Sequence, residues 1–223
     1  YFIAIQATYE GIDLAICKDN TVLETTSISK FDASRLAITA LEQLLHNQSI
    51  TLATIKFIVV NQGPGPFTTL RTVLATVNGL AFASGIPLVG VDGIATLATA
   101  YQHDTKTIVA ALLNAFNQDV YYAIAQPNTT LEVGCKNGLA LIQQLGAQFM
   151  DTTITFVGNG THLLQAEISN NLGSRALMAT PFAHTASIEQ IAMQGLQQWQ
   201  DKQNVVTCLM PIYLKQHSVL LGR

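Results

Sequence analysis

The most constraining feature of the sequence is a glycine-proline loop, Gly63-Pro64-Gly65-Pro66, that separates two stretches of different hydrophobic periodicity. The run before it, Phe57–Val60, is continuously apolar, which is typical of a buried strand. From Phe67 apolar residues recur at helical spacing until Gly85, and a second apolar run covers Pro87–Val91. A buried strand, a helix and another buried strand in this order predict an α/β layered domain.

The residues before this loop predict the rest of a first unit. Three short β-rich segments predict an antiparallel meander; they are Phe2–Ala7, Ile12–Cys17 and Thr21–Ser27. A helical period follows over about Ser34–His46, and either Ser34 or Asp32 could serve as its N-cap. The predicted element order is therefore βββαβαβ.

A second cycle begins near Thr107 and resembles the first. Ile108–Asn114 and Val120–Ala125 predict a hairpin whose opening strand is similar to the opening strand of the chain. Two helices and one short strand are predicted beyond it: Asn137–Leu145, Ser187–Gln200 and Ile154–Val157. This partial repetition predicts two related α/β lobes.

The segment Thr99–Lys106 is the predicted linker between these lobes, because His103, Asp104 and Lys106 interrupt the apolar character there. The predicted domains are a first lobe of residues 1–103, which carries the glycine-proline loop and its helix, and a second, smaller lobe of residues 104–223. The sequence leaves open whether the C-terminal segment returns to the first lobe.

Charged side chains are scarce. They make up 11% of residues, with 11 Lys and Arg against 14 Asp and Glu, whereas Gln and Asn number 18 and 12. A typical domain carries about 25% charged residues. The sequence contains no run of Lys or Arg, so direct binding of RNA or DNA is not expected. A neutral polar surface is instead suited to contact with another protein.

No targeting or membrane segment is predicted. The chain opens without the basic region of a secretory leader. The uncharged stretch Thr72–Val91 is long enough to suggest a membrane span, but Asn78, Gly85 and Pro87 interrupt it. A helix followed by a strand explains this stretch better, and a soluble cytoplasmic protein is expected.

The cysteines and histidines predict no metal site. Cys17, Cys135 and Cys208 form no CxxC pair, so three buried, reduced thiols are expected. The five histidines do not fall at metal-ligand spacing; they are His46, His103, His162, His184 and His217.

The glycine-proline loop and its helix allow alternative interpretations. Glycines before a helix N-terminus can present N–H groups to an anion, but Pro64 and Pro66 remove two donors and no P-loop lysine follows. A tight strand-to-helix connection is the alternative. The small residues Ala75 and Gly79 suit either close packing of a partner helix or an intramolecular core. Arg71 could bond loop carbonyls or a partner's carboxylate.

The residues Gly63-Pro64-Gly65-Pro66-Phe67-Thr68-Thr69-Leu70-Arg71 resemble the Gly-Pro-Gly-Ser-Phe-Thr-Gly-Leu-Arg signature of the TsaB family, also called YeaZ. Further segments resemble family segments in the same order along the chain: Asn78–Ala81, Gly85–Val91, Asn114–Tyr122 and Met210–Lys215. The resemblance therefore extends over nearly the whole chain.

This resemblance implies the two-lobed actin/Hsp70/sugar-kinase fold, with ribonuclease-H-like lobes built from mixed sheets and flanking helices. It implies a non-catalytic scaffold for a TsaD-type paralogue, which together with a TsaE-type ATPase transfers a threonylcarbamoyl group onto tRNA. The target is the adenosine next to the anticodon in tRNAs that read codons beginning with A. ATP and metal are expected on the partner subunits, with no cofactor on this chain and only indirect contact with tRNA.

The resemblance also implies that the two first-lobe helices, about Ser34–His46 and Phe67–Ser84, contact the partner or form a homodimer. The expected interface residues are Leu36, Leu41, Pro64, Gly65, Phe67, Thr68, Leu70, Arg71, Leu74 and Val77. No catalytic or metal-binding residue is expected. Whether the isolated chain is a monomer or a homodimer, and whether nucleotide binds at a subunit interface, stay open.

Several residues depart from the family pattern. Gln6 and Asn114 stand where acidic residues are usual, and Ala33 stands where a His is frequent. Pro66 and Thr69 replace the Ser and the third Gly of the signature. These changes favour a non-catalytic subunit over the alternative of a weak nucleotide-binding ATPase or phosphotransferase, which needs the acids. A glycoprotease-like peptidase, the second alternative, lacks both a metal-binding histidine pair and a serine elbow.

Overall fold

The computed structural model describes residues 1–103 and 107–215. It divides into two compact units, one made of Tyr1–Leu97 with Thr185–Ile212 and the other of Ala98–His184 with the chain from Tyr213. The predicted boundary at residue 103 adjoins Asp104 and Lys106, which lie outside the described residues, and the predicted domain ranges stay predictions. No helix within the described ranges is long and apolar enough to cross a membrane.

The first unit is built on a six-stranded mixed sheet. Its strands are β1 (Phe2–Ala7), β2 (Gly11–Lys18), β3 (Thr21–Ser29), β4 (Ile58–Asn61), β5 (Leu88–Val91) and β11 (Val205–Val206). Their order across the sheet is β11-β5-β4-β1-β2-β3. The first three strands form the predicted antiparallel meander, whereas β4 runs parallel to β1 with Ala4 opposite Val59, and β5 runs parallel to β4.

Helices cover both faces of this sheet. They are α1 (Ala33–Asn47) and α2 (Phe67–Ser84) on one face and α7 (Ile188–Gln200) on the other, and a short helix, α3 (Gly93–Ala100), follows β5. Ile58 and Val60 face α1 and α2 within one buried apolar cluster. Val59 points to the opposite face, where a Cβ on Gly195 of α7 would lie only 2.2 Å from its Cγ1 atom. Gly195 therefore lets α7 pack closely against β4.

The second unit repeats this topology. Its strands are β6 (Ile108–Asn114), β7 (Asp119–Ala125), β8 (Glu132–Asn137), β9 (Ile154–Val157) and β10 (Ala176–Met178), in the order β10-β9-β6-β7-β8. An antiparallel three-stranded meander is again extended by two parallel strands. The helices of this unit are α4 (Gly138–Gln148), α5 (Gly160–Leu163) and α6 (Gln165–Leu172). The prediction of two related α/β units is confirmed.

The helix ends differ slightly from the predicted caps. Asp32 occupies the N-cap position of α1, but its side chain makes no capping bond and instead accepts from Arg35 and Ser29. Ser187 caps α7 in a full capping box with Gln190. The helix predicted after the glycine-proline loop is observed over Phe67–Ser84, and its C-cap is Gly85, whose φ is +73°.

Candidate functional site

The glycine-proline loop forms a tight connection from β4 to α2. Gly63 has a φ of +105°, a conformation that favours glycine. Its N–H donates to Asn61 Oδ1 at 2.9 Å, and its carbonyl accepts from the Gly93 N–H at 2.9 Å. Since Pro64 and Pro66 carry no N–H, three of the four loop positions offer no free donor. The geometry favours the strand-to-helix connection over an anion-binding loop.

A chain of hydrogen bonds, which we call the amide relay, runs from the exposed Ser27 through the buried Gln6 and supports this loop. Gln6 is 1% exposed, and its Nε2 donates to Asp13 Oδ2 at 3.1 Å and to the Ala186 carbonyl at 3.2 Å. Its Oε1 accepts from Asn61 Nδ2 at 3.4 Å. Asp13 also accepts from Ser27 Oγ at 2.7 Å. Both N–H donors and the carbonyl of the Gln6 amide are therefore engaged where a phosphotransferase would need a carboxylate.

The buried side of α2 belongs to the core of the first unit. Leu70, Val73, Leu74 and Val77 are each at most 4% exposed and pack with β1 and β4 in the buried cluster. Burying a Leu or Val side chain contributes about 1.5–3 kcal/mol. Leu74 therefore belongs to the intramolecular core, which is one of the two alternatives that the sequence left open for this helix.

The opposite side of α2, which we call the outer face, faces solvent. It consists of Phe67, Thr68, Arg71, Ala75, Gly79 and Phe82. Phe67 is 52% exposed and Phe82 is 93% exposed, although both are large apolar side chains. The Arg71 guanidinium lies 3.8 Å from the Phe67 ring centroid, a cation–π contact at the start of the face. Arg71 is the single charged residue of the outer face.

The predicted interface residues fall into three classes of exposure. Leu41, Pro64, Leu70, Leu74 and Val77 are buried, Leu36 and Gly65 are half-buried, and Phe67, Thr68 and Arg71 are exposed. Their role in partner binding stays a prediction, but the buried ones face the unit's own core. Direct contact would therefore have to come from the exposed and half-buried ones. Phe82, which sequence reasoning missed, is exposed on the same side of α2 as Phe67 and Arg71. The spacing of Ala75, Gly79 and Phe82 on one helix face is the signal that could have indicated it.

A C-terminal strap, residues 207–212, lies against α2 and the loop. Asn78 exchanges two hydrogen bonds with the Leu209 backbone, at 2.9 Å from its Nδ2 to the carbonyl and 2.8 Å from the N–H to its Oδ1. Gln62 Nε2 donates to the Met210 carbonyl at 2.7 Å, and the Ile212 N–H donates to the Gln62 carbonyl at 2.9 Å. These long-range bonds hold residues 207–212 on the first unit.

The first strand of the second unit, β6, also carries a side-chain amide near its end, as β1 does at Gln6. Asn114 ends β6, and its Oδ1 accepts from the Phe116 N–H at 2.8 Å. Its own N–H donates to Asn159 Oδ1 at 2.9 Å. Asp119 forms a 2.8 Å ion pair with Lys215, and this bond raises the pKa of the lysine. Asn114 thus shapes the β6–β7 turn.

The described residues contain no group of three or more His, Cys, Asp or Glu side chains that could hold a metal ion. His162 and His184 instead pack with Phe182, at ring-centroid distances of 4.6 Å and 5.5 Å from the phenylalanine. His217 lies outside the described residues.

The expectation of three buried thiols is wrong for two of them. Cys17 is buried, but Cys135 is half-buried and Cys208 is exposed, because the strap that carries Cys208 lies on the surface. Burial raises the pKa of the Cys17 thiol to about 12, with a smaller contribution from the negative charge of Glu189.

These environments predict an order of thiol reactivity in the native chain. A disulfide reagent at pH 8 should modify Cys208 rapidly, Cys135 more slowly and Cys17 only after unfolding, because the thiolate is the reactive form. Mass spectrometry of quenched time points measures the order. Modification of Cys17 at the rate of Cys208 in the folded chain would contradict the assignment.

Comparison with known proteins supports this fold and identifies a family. The family model described as TsaD, tRNA N6-adenosine threonylcarbamoyltransferase, matches residues 32–219. The tRNA threonylcarbamoyladenosine biosynthesis protein TsaB of Bacillus subtilis is 25% identical over an alignment of 202 residues, and the match covers 86% of this chain and 86% of that protein.

Two solved structures from Pseudomonas aeruginosa share the fold. A protein with similarity to peptidase YeaZ superimposes with a TM-score of 0.74 and 22% identity, covering 96% of this chain and 99% of that one. YeaZ itself gives a TM-score of 0.71 and 20% identity, covering 95% and 99%.

The predicted fold class is confirmed in its two mixed sheets with flanking helices, and the chain shares the fold of these two structures. The chain belongs to the TsaD-related family of threonylcarbamoyladenosine biosynthesis, as a member of its TsaB (YeaZ) group.

Proposed function

We propose that this chain is a non-catalytic subunit that binds a TsaD-type paralogue during threonylcarbamoylation of the adenosine next to the anticodon of tRNAs reading codons that begin with A. A TsaE-type ATPase joins the same assembly. ATP and metal bind to the partner subunits, and tRNA contacts this chain only indirectly. In the absence of partners, the same surface serves for homodimer formation.

The outer face of α2 is the observation that carries this proposal. Phe82 and Phe67 expose apolar rings at its two ends, and exposed large apolar groups on one face mark interaction sites. Between them lie Ala75 and Gly79, whose small size allows a second helix to approach closely. A Cβ built on Gly79 meets no atom within 4 Å, so the fold of the unit itself does not require glycine there.

Gly79 lowers the stability of α2. Glycine in a helix interior destabilises a protein by roughly 0.5–1 kcal/mol relative to alanine. No contact within the unit offsets this cost at Gly79. Close approach of a partner helix would offset it.

The amide relay supports a non-catalytic role. Gln6 and Asn61 use their amides to hold each other and the Gly63 N–H, and Asn114 is used in the β6–β7 turn. A phosphotransferase of this fold class would need carboxylates at the strand ends to organise a metal ion. Gln6 and Asn114 cannot provide that charge.

Gly79→Ala tests the proposed docking face. The isolated chain should gain about 0.5–1 kcal/mol of unfolding free energy, because alanine is the better helix residue. The affinity for the TsaD-type paralogue should fall about tenfold, since an added methyl group in a close helix contact costs roughly 1–3 kcal/mol. Denaturant unfolding and calorimetric titration measure the two effects.

Gly146→Ala in α4 is the matched control. A Cβ there would be in ordinary contact with the Asn171 carbonyl at 3.5 Å, so the variant should gain similar stability. Its partner affinity should equal that of the parent chain. Unchanged affinity of the Gly79→Ala chain would show that no partner helix packs against Gly79.

A further inference from the structure

The second unit contains a cavity of about 530 Å³ that takes no part in the proposed partner binding. It lies where β6 ends, beside the β6–β7 turn, the start of α4 and the helices α5 and α6. Three apolar side chains of its lining are well exposed: Phe116 at 56%, Leu139 at 46% and Leu163 at 58%. Its volume is within the range of about 300–1,000 Å³ that is usual for small-ligand sites.

The polar part of this lining selects against anions. Four side-chain amides line the cavity, from Asn114, Asn117, Gln118 and Asn137, together with the carboxylates of Asp119 and Glu167. The lining contains no Lys or Arg. Lys136, which is adjacent to Asn137, directs its ammonium group to Gln144 Oε1. A phosphate or carboxylate ligand would be repelled by Glu167, whereas a cation would be attracted by that carboxylate and could bond to amide oxygens.

The wall of the cavity already binds one ammonium group. Lys215 Nζ donates to Asp119 Oδ2 at 2.8 Å and to the Ala115 carbonyl at 3.1 Å, with the Phe116 carbonyl at 3.5 Å. This side chain neutralises Asp119 and leaves Glu167 as the other carboxylate of the lining. The β6–β7 turn therefore shows directly which kind of group its oxygen atoms accept.

The turn is also held rigidly. Phe116, Asn117 and Gln118 are non-glycine residues with φ values of 60°, 54° and 65°. Such conformations are strained for residues other than glycine and persist only where the surroundings fix them. Here the Gly138 N–H donates to the Gln118 carbonyl at 2.8 Å, and Asn114 holds the Phe116 N–H. The Phe116 ring is thus presented at the cavity by a preformed wall.

We propose that this cavity binds an organic ammonium ion with an apolar body, independently of the function proposed above. Glu167 supplies the opposite charge, the side-chain amide oxygens of Asn117 and Gln118 accept the ammonium N–H groups, and the Phe116 ring offers a cation–π surface. Leu139 and Leu163 contact the alkyl part. The ligand is either a free polyamine or a lysine side chain of another protein.

Calorimetric titration of the full chain with two probes tests this site. The probes are spermidine and the peptide acetyl-Leu-Lys-Leu-amide, and acetyl-Leu-Gln-Leu-amide is the neutral control. At low ionic strength at least one ammonium probe should bind with a dissociation constant below about 1 mM, and the glutamine peptide should bind at least tenfold more weakly. Binding of spermidine alone assigns the free polyamine, and binding of the lysine peptide alone assigns a protein side chain.

Three variants locate the binding. Glu167→Gln should lower the affinity for the ammonium probe about tenfold, and Phe116→Leu should lower it about threefold. Neither variant should change the melting temperature. Asp151→Asn removes an exposed acid of the same unit outside the lining and should change nothing. Absence of binding by both probes at 10 mM would overturn the proposal. Equal binding by the parent and Glu167→Gln chains would overturn it as well.

Discussion

Replacing Gln6 with glutamate should destabilise the first unit by about 3–5 kcal/mol at neutral pH, because it leaves a buried charge without a compensating partner. The change removes both N–H donors from a side chain that is 1% exposed and places a carboxylate beside Asp13 Oδ2, to which Gln6 now donates at 3.1 Å. It also leaves the Ala186 carbonyl without its donor. Chemical denaturation with circular dichroism measures the loss.

The pH dependence distinguishes this mechanism from a simple packing defect. Burial and the neighbouring Asp13 raise the pKa of the new carboxyl in the folded state above its unfolded value of about 4.3. Below that value the group is protonated in both states and the charge penalty is absent. Stability relative to the parent chain should therefore fall as pH rises from 4 to 7.

Gln43→Glu is the matched control for Gln6→Glu. Gln43 is exposed on α1 and donates to Asn47 Oδ1 at 2.7 Å, so the same chemical change occurs in water. We expect a stability change within about 0.5 kcal/mol. A Gln6→Glu chain as stable as the parent at pH 7 would show that the amide relay does not require its donors.

Two adjacent glutamate substitutions on α2 should have opposite consequences. Leu74→Glu should cost about 4 kcal/mol or more and abolish cooperative melting of the first unit, because Leu74 is 4% exposed in the core. Ala75→Glu lies one residue further along, on the exposed outer face, and should leave melting within about 0.5 kcal/mol of the parent.

Ala75→Glu should impair partner binding although it leaves the fold intact. The folded Ala75→Glu chain should bind the TsaD-type paralogue roughly a hundredfold more weakly, because docking would bury an unpaired carboxylate. Thr25→Glu, on the exposed side of β3, supplies a control charge away from α2. Full affinity of the Ala75→Glu chain would exclude the outer face as the docking surface.

Much of the fold follows from hydrophobic periodicity. The meander β1–β3, the helices α1 and α2 and the hairpin of β6 and β7 all match predicted segments, because each is long and strongly patterned. The short helix α3 was missed. Its first turn, capped by Asp92 bonds to the Ile94 and Ala95 N–H groups, lies in an apolar stretch with few polar residues to reveal a helical period.

The candidate site was predictable only in part. The loop and α2 were located by their glycines, prolines and apolar spacing, but α2 is apolar on both sides, so sequence could not decide which side faces the core. The expected contacts Leu74 and Val77 are buried, whereas Phe82 is 93% exposed and was not predicted. The amide relay and the strap depend on hydrogen bonds between distant segments, such as Asn78 with Leu209, which no local pattern indicates.

Size-exclusion chromatography with light scattering tests the central claim most directly. The chain is run alone, mixed with the TsaD-type paralogue of the same organism, and as the Ala75→Glu variant in the same mixture. We expect the parent chain to co-elute with the paralogue as a stoichiometric complex at micromolar concentration and the variant to elute separately. Separate elution of the parent chain and the paralogue would contradict the account of a partner-binding subunit.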